Sequence, residues 1–199
     1  MMTDKLIQPI KSAIENKKYS WFDSNLPYNI NIIGVRGEYR SSNTFNDYLY
    51  VIYRDDNLNW VIKQYPITTD PGISQLVRPL NKNGTAILVP GQYRSTYKVD
   101  LHSSKYPALC QRLGPVSVYR DNNRDENREL DSSTIQTGYF GINIHKAGWN
   151  SEYVNNWSAG CQVFKRFKDF DEFMDIVNKS RSIFGNKFTY TLITKEDLI

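Results

Sequence analysis

The sequence predicts a mainly β fold with flanking helices, an α+β domain. Three observations carry that expectation. The middle of the chain is built from runs of β-branched and aromatic residues bounded by turn-forming residues. Helical spacing of apolar residues is confined to the two ends. The length of 199 residues suits one substantial core with a terminal extension, so residues 1–27 are expected as a helical extension and 28–199 as one domain.

The elements follow in order. Leu6, Ile7, Ile10, Ala13 and Ile14 recur at helical spacing, with Pro9 expected near the first turns, where a missing N–H is tolerated. Tyr28–Val35, Asp47–Tyr53 and Trp60–Ile67 read as strands. Asp55-Asp56-Asn57 supplies a hairpin turn between the last two, because Asp and Asn accept the backbone angles a tight turn demands. Thr69-Asp70-Pro71-Gly72 is a second turn signal. Gly84–Val89, Tyr93–Leu101 and Val116–Tyr119 are further strands. The polar stretch 121–131, DNNRDENRELD, has carboxylates and amides at alternating positions but lacks the glycine and final glutamate of a calcium loop, so a solvated acidic loop is expected. Gly138–His145 reads as a strand. Asp169 and Glu172 suggest a capping box for a helix of about three turns that buries Phe170, Phe173, Met174 and Val177. Phe188, Tyr190 and Leu192 alternate with polar residues, so the chain should close on a half-buried strand.

Composition excludes several functions. Lys and Arg number 25 against 21 Asp and Glu, a net charge of +4 with no basic run or stripe, which argues against nucleic-acid binding. Two cysteines and two histidines without HExxH or CxxC spacing argue against zinc, and no metal or other cofactor is expected. No segment approaches the ~20 apolar residues of a membrane span. The first residues, with Asp4 and Lys5, lack the apolar stretch of a secretion signal.

The chemistry is expected between Thr137 and Lys165. In a strand ending at His145, Asn143 and His145 share one face while Ile142 and Ile144 face the core. A loop then leads to Ser158-Ala159-Gly160-Cys161. Gly160 permits a tight backbone, and the amides of Gly160 and Cys161 are placed to face a developing oxyanion. A cysteine nucleophile requires a base, since the thiolate is the reactive form, and His145 is the partner at hand. Ser158 or Asn143 would orient the imidazole. Trp149, Tyr153 and Trp157 would either wall a cleft for an extended peptide or pack the loop down. His102 is expected as a strand-end or surface histidine and Cys110 as a packed one.

The order strand-His145, loop, Ser158-Ala159-Gly160-Cys161 resembles the active-site motif of the L,D-transpeptidase catalytic domains. A looser likeness lies upstream, in Tyr65-Pro66-Ile67-Thr68-Thr69 followed by Pro90-Gly91-Gln92-Tyr93. The resemblance implies a mixed β-sheet sandwich acting on peptidoglycan stem peptides as a transferase or hydrolase. Cys161 would be the nucleophile, His145 the base and then the acid, Ser158 the orienting residue, and Gly160 with Cys161 the oxyanion backbone. Asn143, Trp149, Trp157 and Gln162 would contact substrate. Two departures stand out: Gln162-Val163 follows the cysteine where the family has an aliphatic residue and arginine, and Lys146-Ala147 separates His145 from Gly148. With no secretion signal seen, the expected setting is a bacteriophage virion, with virion proteins as partners, or delivery to the bacterial cell wall, and otherwise the cytoplasm. Two other readings stand beside this one: a non-catalytic virion or wall-binding module on the same fold, and an intracellular cysteine peptidase or amidase.

Overall fold

The computed structural model describes residues 2–38 and 43–198. Met1, residues 39–42 and Ile199, which fall within the expected extension and domain, lie outside the described residues. The fold is mainly β with three α-helices: α1 (Met2–Asn16), α2 (Ile73–Val77) and α3 (Phe167–Phe184). Eight strands close a barrel, β1 (Asn31–Arg36), β2 (Asp47–Arg54), β3 (Trp60–Thr68), β5 (Gly91–His102), β6 (Tyr106–Gln111), β9 (Ile144–Lys146), β10 (Gln162–Phe164) and β11 (Phe188–Thr194), in the order β1-β11-β5-β6-β9-β10-β3-β2. A separate small sheet joins β4 (Thr85–Leu88), β7 (Val116–Asp121) and β8 (Gln136–Gly138). Two pairings are parallel, β1 with β11 and β9 with β10. The mainly β expectation therefore holds, with closure into a barrel as the architecture.

Period-two alternation sorts the strand residues onto two sides. Ile32, Leu49, Val51, Tyr65, Ile67, Tyr190 and Leu192 join the large core, together with Phe170, Phe173 and Val177 of α3. The intervening Ile33, Val35, Ile52 and Ile193 form a second cluster with Ile7, Ile10, Ala13 and Ile14 of α1. The N-terminal helix thus covers the outer face of β1, β2 and β11. Gly34 is required where β1 crosses Tyr190, since a Cβ there would collide with the phenol.

Several local expectations are corrected. Tyr28 has φ +57 and donates its amide to the Arg54 carbonyl, so β1 begins only at Asn31. Pro9 sits inside α1, on its exposed side, and not in the first turn. Helix α3 has 18 residues in place of three turns and starts at Phe167, with Arg166 at the N-cap position and no side-chain cap. Asp169 is already in the first turn, where it accepts from Arg166 Nε at 2.7 Å, and Glu172 pairs with Lys63, so no capping box forms. Residues 138–145 are not one strand. Gly141, at φ +70, breaks the run into β8 of the small sheet and β9 of the barrel. The Asp55 turn is as expected, its carboxylate accepting from the Asn57 and Asn59 amides, both at 2.9 Å.

The stretch 121–131 is anchored and only partly solvated. Arg128 is buried and reaches Asp70 Oδ2 at 2.6 Å and the Gly37 carbonyl at 2.8 Å. Arg36, also buried, lies 3.4 Å from Asp70 Oδ1 and donates to Thr69 and to the Leu88 carbonyl. Two guanidinium groups therefore share one buried carboxylate. No helix among the described residues is long and apolar enough to cross a membrane.

Candidate active site

The parallel pairing of β9 with β10 positions the candidate pair. Its register sets Gln162 against Ile144 and Val163 against His145. Cys161, one residue earlier, lies beside Asn143, whose amide meets Sγ at 3.4 Å and whose carbonyl accepts from the Gln162 amide at 2.9 Å. Register partners share a face, so Cys161 and His145 stand on the same outer face of the barrel. Ile142 and Ile144 are buried in the core, as the alternation required.

The turn before Cys161 is held by Ser158. Its buried hydroxyl donates to the Cys161 carbonyl at 2.9 Å and accepts from the Gly160 amide at 3.1 Å. Ser158 thus shapes the thiol's turn, and its hydrogen bonds do not reach the imidazole. Gly160 has φ +119 and packs against the Ala86 carbonyl so closely that no Cβ fits. Only glycine meets both conditions. The Gly160 amide is bound to Ser158, whereas the Cys161 amide, like that of Ala159, has no acceptor among the described residues and can donate to an oxyanion on an attacked carbonyl. The Thr69–Gly72 turn buttresses this loop through the Gly72 amide, which donates to the Ser158 carbonyl at 3.0 Å.

His145 is buried and fixed from two sides. Nδ1 lies 2.9 Å from the Lys146 carbonyl. A carbonyl can only accept, so Nδ1 carries the proton and Nε2 holds the free lone pair. His102, at the end of β5, stacks on the ring at 4.0 Å between centroids. Burial, reinforced by the neighbouring His102, pulls the His145 pKa down to about 3. Burial pushes the Cys161 thiol up to about 11. The thiol's own hydrogen bond goes to the Gly141 carbonyl at 3.4 Å. The resting pair is neutral thiol and neutral imidazole.

The other expected contacts divide. Asn143 is buried, its Oδ1 accepting from the Gln111 amide at 2.9 Å and its Nδ2 facing His102 Nδ1 at 3.1 Å. It orients His102 and has no free edge for substrate. Gln162 is fully buried and points inward, donating to the Gly160 carbonyl and accepting from Tyr190 OH at 2.8 Å. A substrate contact by Gln162 is therefore excluded by the alternation of β10. Trp149, Tyr153 and Trp157 are exposed. Trp149 stacks on Phe167 at 5.3 Å, at the start of α3. Cys110 is buried, as expected, and unbridged. No three His, Cys, Asp or Glu side chains among the described residues are gathered to hold a metal ion.

His102 is the residue that the sequence undervalued. It is a strand-end histidine as expected, yet the β5–β6 hairpin, pairing His102 with Tyr106, lays it on His145. Its signal lay in strand β6, whose run Ala108-Leu109-Cys110 lacks alternation. The chain matches no protein-family model, no curated protein and no solved structure. What the fold and site define is a mainly β domain in which Cys161 and His145 stand on the same side of two adjacent barrel strands, His145 buried there.

Proposed function

We propose that this protein is a cysteine acyl-transfer enzyme acting on peptidoglycan stem peptides, with Cys161 as nucleophile and His145 as base. The observation that carries the reading is the parallel β9–β10 pair, which sets Cys161 and a lone-pair-bearing His145 on one face, with no acceptor on the Cys161 amide among the described residues. As Sγ attacks the scissile carbonyl, its proton passes to His145 Nε2 and the oxyanion takes a hydrogen bond from the Cys161 amide. Collapse expels the amine, which takes the proton back from His145, and leaves a thioester on Cys161. Water then gives a carboxypeptidase, and a second amine gives a transpeptidase or D-amino-acid exchange. The neutral resting pair fits proton transfer concerted with attack, in contrast to a standing thiolate. The specific substrate follows from the resemblance of Ser158-Ala159-Gly160-Cys161 and His145 to the L,D-transpeptidase motif, and a phage virion component or another protein delivered to the wall is the setting we infer.

Mass spectrometry of muropeptides tests this. Purified peptidoglycan is incubated with the wild-type protein and with Cys161→Ala, with and without added D-amino acid. Loss of D-alanine, exchange or new cross-links with the wild type alone is the expected result. Identical muropeptides in both samples would sink it. The high thiol pKa and low imidazole pKa favour one rival, a non-catalytic wall-binding module on the same fold. Binding of muropeptides without turnover would select that rival.

A further inference from the structure

Trp149 is the most exposed aromatic side chain among the described residues, at 81%. The loop that carries it is held without the ring. The Ala147 amide donates to the Phe164 carbonyl at 2.9 Å, the Ser151 amide to the Lys165 carbonyl at 3.1 Å and the Phe167 amide to the Trp149 carbonyl at 3.0 Å. Ser151 Oγ accepts from the Gly148 amide at 3.0 Å, and Asn150 bridges to Arg166. Backbone bonds therefore pin residues 147–151 to the end of β10 and the start of α3.

The indole itself stacks on Phe167. The two rings lie within 10° of parallel, with centroids 5.3 Å apart, and Lys146 Nζ sits 4.1 Å from the same Phe167 centroid. One face of Trp149 is thus supported while the other is open to water. Keeping that apolar face in solvent adds little to the stability of the fold. A flat ring already fixed in one orientation loses little further freedom when a guest settles on it. Trp157, also exposed, continues the surface: a Cβ on Gly148 would lie 3.4 Å from its Cζ2, so the second indole packs against the residue beside Trp149.

The surroundings select the guest. Asn150, Glu152, Asn155 and Asn156 are all exposed, so the two indoles stand among amides and a carboxylate. A protein partner would instead call for a continuous apolar patch around its anchor. A cationic guest would meet the Lys146 ammonium at Phe167 and Arg166 beside Asn150. A pyranose with equatorial substituents fits both features. Its axial C–H groups form a flat, slightly positive face that matches the negative face of an indole, and its edge hydroxyls can pair with amide and carboxylate side chains. We propose that Trp149, extended by Trp157, is a carbohydrate-binding surface for a strand of β-linked, gluco-configured pyranoses. This surface goes beyond the acyl-transfer reading and involves no step at Cys161.

Calorimetry on the full chain tests the proposal, with chitotetraose, a β-linked tetramer of N-acetylglucosamine, as the probe. The wild-type protein should bind it at millimolar concentration or below. Trp149→Ala should weaken binding at least about tenfold, as the loss of one aromatic face requires. Trp149→Phe should restore part of the affinity, and the urea midpoint of Trp149→Ala should stay near that of the wild type, which together separate lost recognition from lost folding. No binding at about 10 mM sugar overturns the proposal, as does binding that survives Trp149→Ala. Tighter, Trp149-dependent binding of single-stranded oligothymidine would also overturn it, by assigning the ring to base stacking. Muropeptide turnover keeps this surface apart from the acyl-transfer reading. Trp149-dependent sugar binding without turnover retains the surface and removes the nucleophile. Turnover without sugar binding does the reverse.

Discussion

His102 stacks on His145 with ring centroids 4.0 Å apart and planes 21° from parallel. The two rings come from different parts of the barrel, and each is anchored through a separate backbone element. Asn143 is fixed by the Gln111 amide and presents its Nδ2 to His102 Nδ1, so His102 carries its proton on Nε2. His145 is then enclosed between that ring and the Lys146 carbonyl. Burial, reinforced by the stacked ring, keeps His145 uncharged, and the Lys146 carbonyl holds it in a single tautomer.

Replacing His102 by Leu should raise the His145 pKa from about 3, because a neighbouring ring that disfavours its charge is removed. Nitrogen-15 NMR of the imidazoles follows the titration directly. An unchanged His145 curve would show that burial by the barrel alone sets its state.

The depressed His145 pKa also fixes a pH dependence of stability. An unfolded histidine takes up its proton near pH 6.5, while the folded one stays neutral down to about 3. Between those values the unfolded chain binds more protons, so stability rises with pH across the window and is lost as pH falls through it. The shift corresponds to several kcal/mol. Urea unfolding at pH 7 and pH 4 should show a steeper acid loss in the wild type than in His145→Gln, and parallel losses would contradict the assignment.

Cys161, with its thiol pushed up to about 11, should alkylate slowly at neutral pH. In a Cys110→Ala background, the iodoacetamide rate should climb about tenfold per pH unit from 7 to 10, as expected where the thiolate is a minor species. His145→Ala should leave that slope unchanged in the absence of substrate. A rate that plateaus near pH 6 would instead reveal a standing thiolate–imidazolium pair.

Ser158 makes two hydrogen bonds to the Cys161 turn. Ser158→Ala should cost about 1–3 kcal/mol by leaving buried partners unpaired. It should lower turnover while leaving the His145 titration in place. A shifted His145 pKa in that variant would restore the orienting role that the sequence suggested.

Much of the architecture was legible because burial follows simple periods. Phe188, Tyr190 and Leu192 alternate into the core, and Ile142 with Ile144 marks the inner side of the site strand. The misreadings have physical causes. Gly141 takes a left-handed conformation that splits one apparent strand between two sheets. The strand at Tyr106–Gln111 contains Pro107 and a non-alternating apolar run, so neither propensity nor period announced it. Without that strand the hairpin that brings His102 to His145 is invisible. Ser158, Gly160 and Cys161 share one turn, and His145 lies on the neighbouring strand on the same side as Cys161. Gln162 and Asn143 were misjudged because polar residues at a site were taken to face substrate, whereas both serve the scaffold.

Asp70 offers the sharpest test of how the 121–131 segment is held. Its buried carboxylate lies 3.4 Å from Arg36 Nε and 2.6 Å from Arg128 Nη1, so one negative charge faces two positive ones. Desolvation, aided by the neighbouring Asp47 carboxylate, raises its pKa against the pull of both guanidinium groups. Asp70→Asn would keep the shape but remove the carboxylate that pairs both guanidinium groups, a loss of about 3–5 kcal/mol when one partner of a buried pair is removed, eased by the buried Asp47 carboxylate nearby. The loss should appear as a lower urea midpoint at pH 7. It should also appear locally, because Arg128 ties the segment to the Gly37 carbonyl and to Asp70. Limited proteolysis should then cut within residues 121–131 before global unfolding. The double variant Asp70→Asn with Arg128→Met removes one of the stranded charges and should recover part of the stability. A double variant less stable than Asp70→Asn alone would mean that Arg128 contributes through its apolar stem and carbonyl bond more than through its charge.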